Sequence, residues 1–131
     1  MLFRLLEMAR GWTMPFPFWL GTRGKRGEYL ARRYFHRRGY HLLAKNWRSG
    51  RWELDAVMAN GKRVLFLEVK TRAKASRMGI EDAVTPAQKK RLQALAPKFL
   101  AQWPDVEVPW RLLLVRVVLQ GRRHHIQVQE L

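Results

Sequence analysis

Residues 52–71 read WELDAVMANGKRVLFLEVKT. Two β-rich runs, 52–59 and 62–71, flank Asn60-Gly61. Asn-Gly between such runs is the strongest short hairpin signal, because both central residues of a type I′ turn need positive φ. A two-residue loop pairs Ala59 with Lys62. It then sets Glu53 opposite Glu68, and Asp55 opposite Phe66 and diagonal to Glu68. Faces alternate along a strand, so Glu53, Asp55, Glu68 and Lys70 share one face with Val57, Val64 and Phe66. Trp52, Leu54, Ala56, Met58, Leu65, Leu67 and Val69 share the other. That second face is expected to receive the apolar stripe of the downstream helix, and the upstream helix to cover Val57, Val64 and Phe66.

Working outward, residues 27–38 predict a helix with the stripe Leu30, Ala31, Tyr34 and Phe35, stopped at Gly39. Residues 40–46 read as a short strand and 48–50 as a turn. Residues 72–84 form a basic loop. Thr85, Pro86 and Gln88 then make a capping box at the start of a second helix. Its stripe is Leu92, Leu95, Ala96, Phe99, Leu100 and Trp103, and Pro104 ends it. A strand follows from Arg111, Gly121 turns the chain, and residues 125–129 form a last edge strand. The order α-β-β-β-α-β-β predicts an α/β domain, a mixed central sheet of about five strands flanked by two main helices.

The chain has 131 residues, 47% hydrophobic and 27% charged, which suits one folded domain and excludes disorder over most of its length. Lys and Arg number 26 against 10 Asp and Glu, a net charge of +16 that calls for a polyanionic partner, nucleic acid first. Cysteine is absent, which excludes disulfides, thiolate zinc sites and cysteine nucleophiles. No run reaches the ~18 apolar residues of a membrane span. Residues 1–23 form an apolar and aromatic extension in which Pro15 and Pro17 interrupt any signal-like run. This segment is expected to pack on the domain or to meet a protein partner through residues 1–20. The domain itself is set at 24–131, and the cytoplasm is the expected compartment.

Three of the ten carboxylates lie on the hairpin, and Glu28, on the inward side of the first helix, can join them. Like charges converging on a sheet need a cation. Lys70 supplies one charge and a divalent ion two. A carboxylate set without His or Cys suits Mg²⁺ or Mn²⁺. Such a site can hydrolyse a phosphodiester: the metal activates water and stabilises the phosphoryl charge, and a nearby Lys orients the water or neutralises phosphate. Glu53 reads either as a further ligand or as a rim residue, and Glu28 either as a site residue or as an acid favoured by the helix dipole. Arg32, Arg33, Arg48, Arg72, Lys74, Lys89 and Lys90 are candidate phosphate contacts, with DNA expected ahead of RNA. Adjacent His124 and His125 would point oppositely on a strand and make a poor metal pair.

Asp55 followed after twelve residues by Glu68-Val69-Lys70 resembles the PD-(D/E)xK signature of restriction-endonuclease-like enzymes and Holliday-junction resolvases. A closer resemblance is to the YraN-like uncharacterised bacterial proteins. It is carried by Gly27-Glu28-Tyr29-Leu30-Ala31, Gly39-Tyr40, Asn46-Trp47-Arg48, Glu53-Leu54-Asp55, Phe66 to Arg72, Val84 and Lys89-Lys90-Arg91-Leu92. It implies a restriction-endonuclease-like core and a metal-dependent endonuclease, with Glu28, Asp55, Glu68 and Lys70 as catalytic residues and Asp55 and Glu68 as the metal ligands. A junction-type substrate would suit a homodimer. The alternative is a nucleic-acid-binding protein that keeps the fold without cleavage. Two positions depart from the family pattern: Trp52 stands where it usually has Gly, and Arg111-Leu112-Leu113 where it usually has Arg-Phe-Asp.

Overall fold

The computed structural model describes residues 23–73 and 83–131. The expected extension over residues 1–23 lies outside them except for Arg23, as do Lys74 and most of the basic loop. Helix α1 spans Arg23–His36, and strands β1 (His41–Ser49), β2 (Trp52–Ala59) and β3 (Val64–Ala73) follow. Helix α2 is Pro86–Leu100, and β4 (Trp110–Gln120) and β5 (Arg123–Glu130) complete the described elements. The five strands form one sheet in the order β1-β2-β3-β4-β5. Only β3 and β4 are parallel neighbours; the other pairs are antiparallel. This is the expected mixed α/β sheet with two flanking helices. No described helix is long and apolar enough to cross a membrane.

Local chemistry sets the element ends. Gly39 takes φ 91° and lets the chain leave α1. The Gln88 N–H donates to Thr85 Oγ1 at 3.1 Å, and the Thr85 N–H donates to Gln88 Oε1 at 2.9 Å, closing the expected capping box. Helix α1 begins four residues before the expected start at Gly27. Gly27 is buried inside it, where the backbone crosses β3. A Cβ there would overlap Thr71 Oγ1 and lie 2.8 Å from Thr71 Cβ and Cγ2. Gly27→Ala must push α1 off the sheet, and overpacking of this kind costs roughly 1–3 kcal/mol. A drop of that size in urea unfolding is the expected result, and unchanged stability would show that the contact is slack.

The hairpin corrects the expected register. Ala59 pairs with Val64, not with Lys62. Asn60 Oδ1 accepts the N–H groups of Lys62 and Arg63 at 2.8 and 2.9 Å, and the Asn60 N–H donates to the Arg63 carbonyl at 3.1 Å. The side chain closes a four-residue loop, so Gly61 needs no positive φ. The slip is two residues, which leaves the faces of β3 unchanged.

The helices cover the opposite faces from those expected. Leu30, Ala31 and Phe35 of α1 pack with Ala56, Met58, Leu65 and Leu67. Leu92, Leu95, Ala96 and Phe99 of α2 pack with Val57, Val64 and Phe66. Both faces are apolar, so hydrophobic pattern cannot choose between them. The choice falls to the β3–α2–β4 connection, because a crossover between parallel strands has a preferred hand.

Candidate functional site

The β2–β3 ladder runs from Ala59↔Val64 to Ala56↔Leu67 and stops there. At the next rung the side chain of Asp55 replaces the backbone: its carboxylate accepts the Val69 N–H at 2.6 Å. The strands part at this point. The cause reaches into β1, where Lys45↔Ala56 and Trp47↔Leu54 leave Asn46 opposite Asp55, with Asn46 at φ 50°. Alternation breaks at this rung. Leu54 and Trp52 pack on the α2 side, whereas Ala56 and Met58 pack on the α1 side. The expectation that Trp52, Leu54, Ala56 and Met58 share a face is therefore corrected. The break turns Asp55 into the fork beside Glu68, and Lys70 Nζ lies 3.6 Å from Glu68 Oε1.

The charges at the fork are poorly compensated. Burial pushes the Asp55 carboxyl up to about 7, and the charges of Glu68, Glu28 and Glu53 add to this while the Val69 N–H opposes it. Burial also raises Glu68; Lys70 pulls it back, and Glu53 and Glu28 push it up. Glu28 is raised by burial, with Arg32 opposing most strongly, Glu53 reinforcing, and Lys25 and Lys45 opposing. Glu28 thus acts on the same cluster from α1. Glu53 is a rim residue paired with Arg48, Nε to Oε2 2.9 Å.

Among the described residues, two cavities lie near the fork. One of about 130 Å³ opens toward α2, where Glu53, Glu68 and Lys70 meet Trp52, Gln88 and Arg91. Its aromatic wall is held by cations: the Arg91 and Arg51 guanidinium carbons lie 4.0 and 4.7 Å from the centre of the Trp52 ring. The other, of about 280 Å³, lies between α1 and β1 and is lined by Lys25, Glu28, Arg32, Lys45 and Asn46.

Among the expected site residues, Asp55, Glu68 and Lys70 come together, and Glu28 stands within electrostatic reach. Arg32, expected as a phosphate contact, is buried at 9% exposed. Burial lowers its pKa, and Glu28, Asp55 and Tyr29 hold it up. The spacing carried this signal, since Arg32 lies four residues after inward-facing Glu28 and shares its side of the helix. Lys89 and Lys90 are exposed on the first turn of α2, Arg33 is half-buried on α1, and Arg48 is exposed but engaged with Glu53. Arg72 is half-buried and donates to the Thr71 carbonyl at 3.0 Å. Lys25 and Lys45 are lining residues that motif reading does not select, whereas Arg91 and Trp52, both singled out in the sequence, line the α2-side cavity. Leu113 pairs with Leu67 and packs on the α1 side of the core.

Among the described residues, no group of three or more His, Asp or Glu is placed to hold a metal ion. The donor set at the fork is two carboxylates, both raised by burial and like charge. That chemistry fits a hard divalent ion that takes one or two protein carboxylates and completes its shell with water and phosphate oxygens, as Mg²⁺ does.

Residues 27–118 match the model of the uncharacterised protein family UPF0102. A UPF0102 protein of Mycolicibacterium vanbaalenii is 42% identical over 100 residues, covering 76% of this chain and 83% of its own. One of Roseiflexus castenholzii is 33% identical over 109 residues, covering 82% and 88%. A solved structure, Pyrococcus furiosus SfsA in complex with Ca²⁺, aligns with 83% of this chain and 62% of its own at 14% identity. Its TM-score is 0.30, too low to bear on fold or function.

Proposed function

The chain belongs to the UPF0102 family, and for this member we propose a metal-dependent endonuclease that hydrolyses phosphodiester bonds in DNA, on a restriction-endonuclease-like fold. The observation that carries the reading is the fork, where Asp55 is fixed by the Val69 N–H and Glu68 stands beside Lys70.

Asp55 and Glu68 would hold Mg²⁺ or Mn²⁺, which supplies an activated water and charge neutralisation at the phosphate. The Val69 N–H keeps Asp55 in one orientation. Lys70 presents an ammonium 3.6 Å from Glu68, where it can orient the attacking water or neutralise a phosphate oxygen. Glu28 assists from α1. Arg32, Lys25 and Lys45 line a cationic cavity beside these acids, suited to a neighbouring phosphate. Exposed Lys89 and Lys90, with Arg33, Arg48, Arg72 and Lys74, supply sequence-independent affinity. A symmetric dimer would suit a branched substrate.

A second reading, a binding protein without cleavage, is favoured by Trp52 with its stacked Arg91 at the mouth of the α2-side cavity and by the absence of a carboxylate at Leu113.

The deciding experiment is a cleavage screen of branched, nicked and single-stranded DNA with Mg²⁺ or Mn²⁺, alongside Lys70→Ala and metal titration of Asp55→Ala. Cleavage that needs metal and Lys70 is expected. Metal binding that depends on Asp55, with no form of DNA cut, would establish the second reading instead.

A further inference from the structure

A third cavity, of about 220 Å³, lies on the other flank of α1, between that helix and β5. Arg33 of α1, Arg37 and Arg38 of the turn that follows it, and His124 of β5 ring it. Its floor is apolar: Leu30 is 1% exposed, and Ile126 packs with the same core cluster. Among the described residues no acidic side chain lines it.

The groove is organised as well as charged. The Arg38 guanidinium carbon lies 3.5 Å from the centre of the Tyr34 ring, and Arg38 Nη1 donates to the Tyr34 carbonyl at 2.9 Å. One cation is therefore held against the helix end in a fixed pose. Arg33 and Arg37 are four residues apart and present their charges from successive turns. His124 feels the result: partial burial lowers its pKa, and Arg33, Arg37 and His125 lower it further. Like charges gathered over an apolar floor, with no acid among the described residues to answer them, are stabilised by an anion that bridges them.

We infer that the α1–β5 groove of Arg33, Arg37, Arg38 and His124 is a second phosphate-binding site, which takes the sugar–phosphate backbone of the nucleic acid on the flank of α1 away from the carboxylate fork.

The inference rests on reading the chain as a nucleic-acid-binding protein, but not on cleavage. From Glu28 to His36 at the helix end is about 12 Å at 1.5 Å per residue. A duplex advances about 3.4 Å per nucleotide of one strand. With the ~10 Å width of the helix added at right angles, a strand that leaves the fork beside Glu28 and crosses α1 would meet the groove roughly four to five nucleotides away. Contacts of this kind fix direction and register and carry no base specificity.

The test compares two double variants of equal charge loss. Arg37→Gln/Arg38→Gln alters the groove. Lys62→Gln/Arg63→Gln alters the exposed β2–β3 loop. DNA affinity is measured for both and for wild type across salt concentrations, with thermal melting to verify folding. The groove pair should lower affinity about tenfold or more near 50 mM salt and flatten the log–log salt slope by about two. The loop pair should change the slope far less. Equal losses in the two variants would mean that only overall charge matters, and would overturn the groove.

An NMR titration of the His124 ring supplies the second readout. An oligonucleotide is expected to raise the ring's pKa, and to do so in Asp55→Asn as well, so failure of the metal reading leaves the groove testable. No change at His124 on saturation with oligonucleotide would overturn the assignment. Inorganic phosphate acting as strongly as the oligonucleotide, at equal phosphate, would overturn nucleic acid as the source of the ligand.

Discussion

Glu68→Gln is expected to abolish DNA cleavage while strengthening DNA binding in the absence of metal. The two effects have one cause. Glu68 lies in a fork whose carboxylates repel one another, with Lys70 Nζ 3.6 Å away. The amide keeps the side chain's size and removes its charge. A phosphate approaching the metal-free site then meets one less negative group, worth about 0.5–1 kcal/mol near the surface, or roughly a two- to fivefold gain in affinity. On the proposed mechanism, cleavage needs that charge to hold the cation against the phosphate. Losing a preorganised electrostatic partner of this kind costs about 10²–10³-fold in rate, and removing one of only two protein ligands should cost at least as much. Fluorescence anisotropy with EDTA, followed by single-turnover cleavage with Mg²⁺, reads both quantities on one preparation. Retained cleavage in Glu68→Gln would place the chemistry elsewhere. Weaker metal-free binding would show that Glu68 contacts the nucleic acid as a hydrogen-bond partner and does not repel it.

Features that depend on a few neighbouring residues are legible in the sequence. The capping box at Thr85 and Gln88 forms as expected because both partners lie within one helical turn. The element order in the chain, the Gly39 stop and the placement of the acids on β2 and β3 follow for the same reason, whereas the expected pairs Glu53–Glu68 and Asp55–Phe66 do not form. The hairpin register is harder, because Asn-Gly admits two closures and the Asn60 side chain selects the longer one. The faces covered by α1 and α2 are not legible from pattern at all. Ala56, Met58, Leu65 and Leu67 are as apolar as Val57, Val64 and Phe66, and the handedness of the crossover decides between them.

The candidate site survives both corrections for a definite reason. A register slip of two residues preserves the side of every β3 side chain, so Glu68 and Lys70 keep their places. Asp55 reaches the fork by a different route from simple alternation. The break at Asn46 and Asp55 sends Leu54 and Ala56 to opposite sides of the sheet and frees the carboxylate between them to take the Val69 N–H. A pattern of period two cannot foresee its own interruption. What it does locate is the stretch in which an acid sits among core residues, and that stretch is where the interruption falls.

The same buried acid makes the protein's stability depend on pH in a direction opposite to that of an ordinary salt-bridged carboxylate. Asp55 titrates near 3.8 when solvated and near 7 in the fold. The folded state therefore binds its proton more tightly than the unfolded state. The stabilisation is full below about 3.8 and is lost progressively as pH rises through 7. Every tenfold difference in proton affinity between the two states is worth about 1.36 kcal/mol. With Glu68 and Glu28 sharing the repulsion, about 2–4 kcal/mol is expected to be missing at pH 8. Asp55→Asn can still accept the Val69 N–H and carries no charge, so it should exceed wild type by that amount at pH 8, or by about 8–16 °C in Tm, and match it near pH 4. Saturating Mg²⁺ or Mn²⁺ should close the gap at pH 8 by stabilising wild type alone, since a ligand that binds only the folded state adds its binding free energy to stability. Thermal unfolding of both proteins from pH 4 to 8, with and without metal, measures every part of this. Parallel curves for the two proteins would mean that Asp55 is compensated in the fold, and the proposed metal role of the fork would fall.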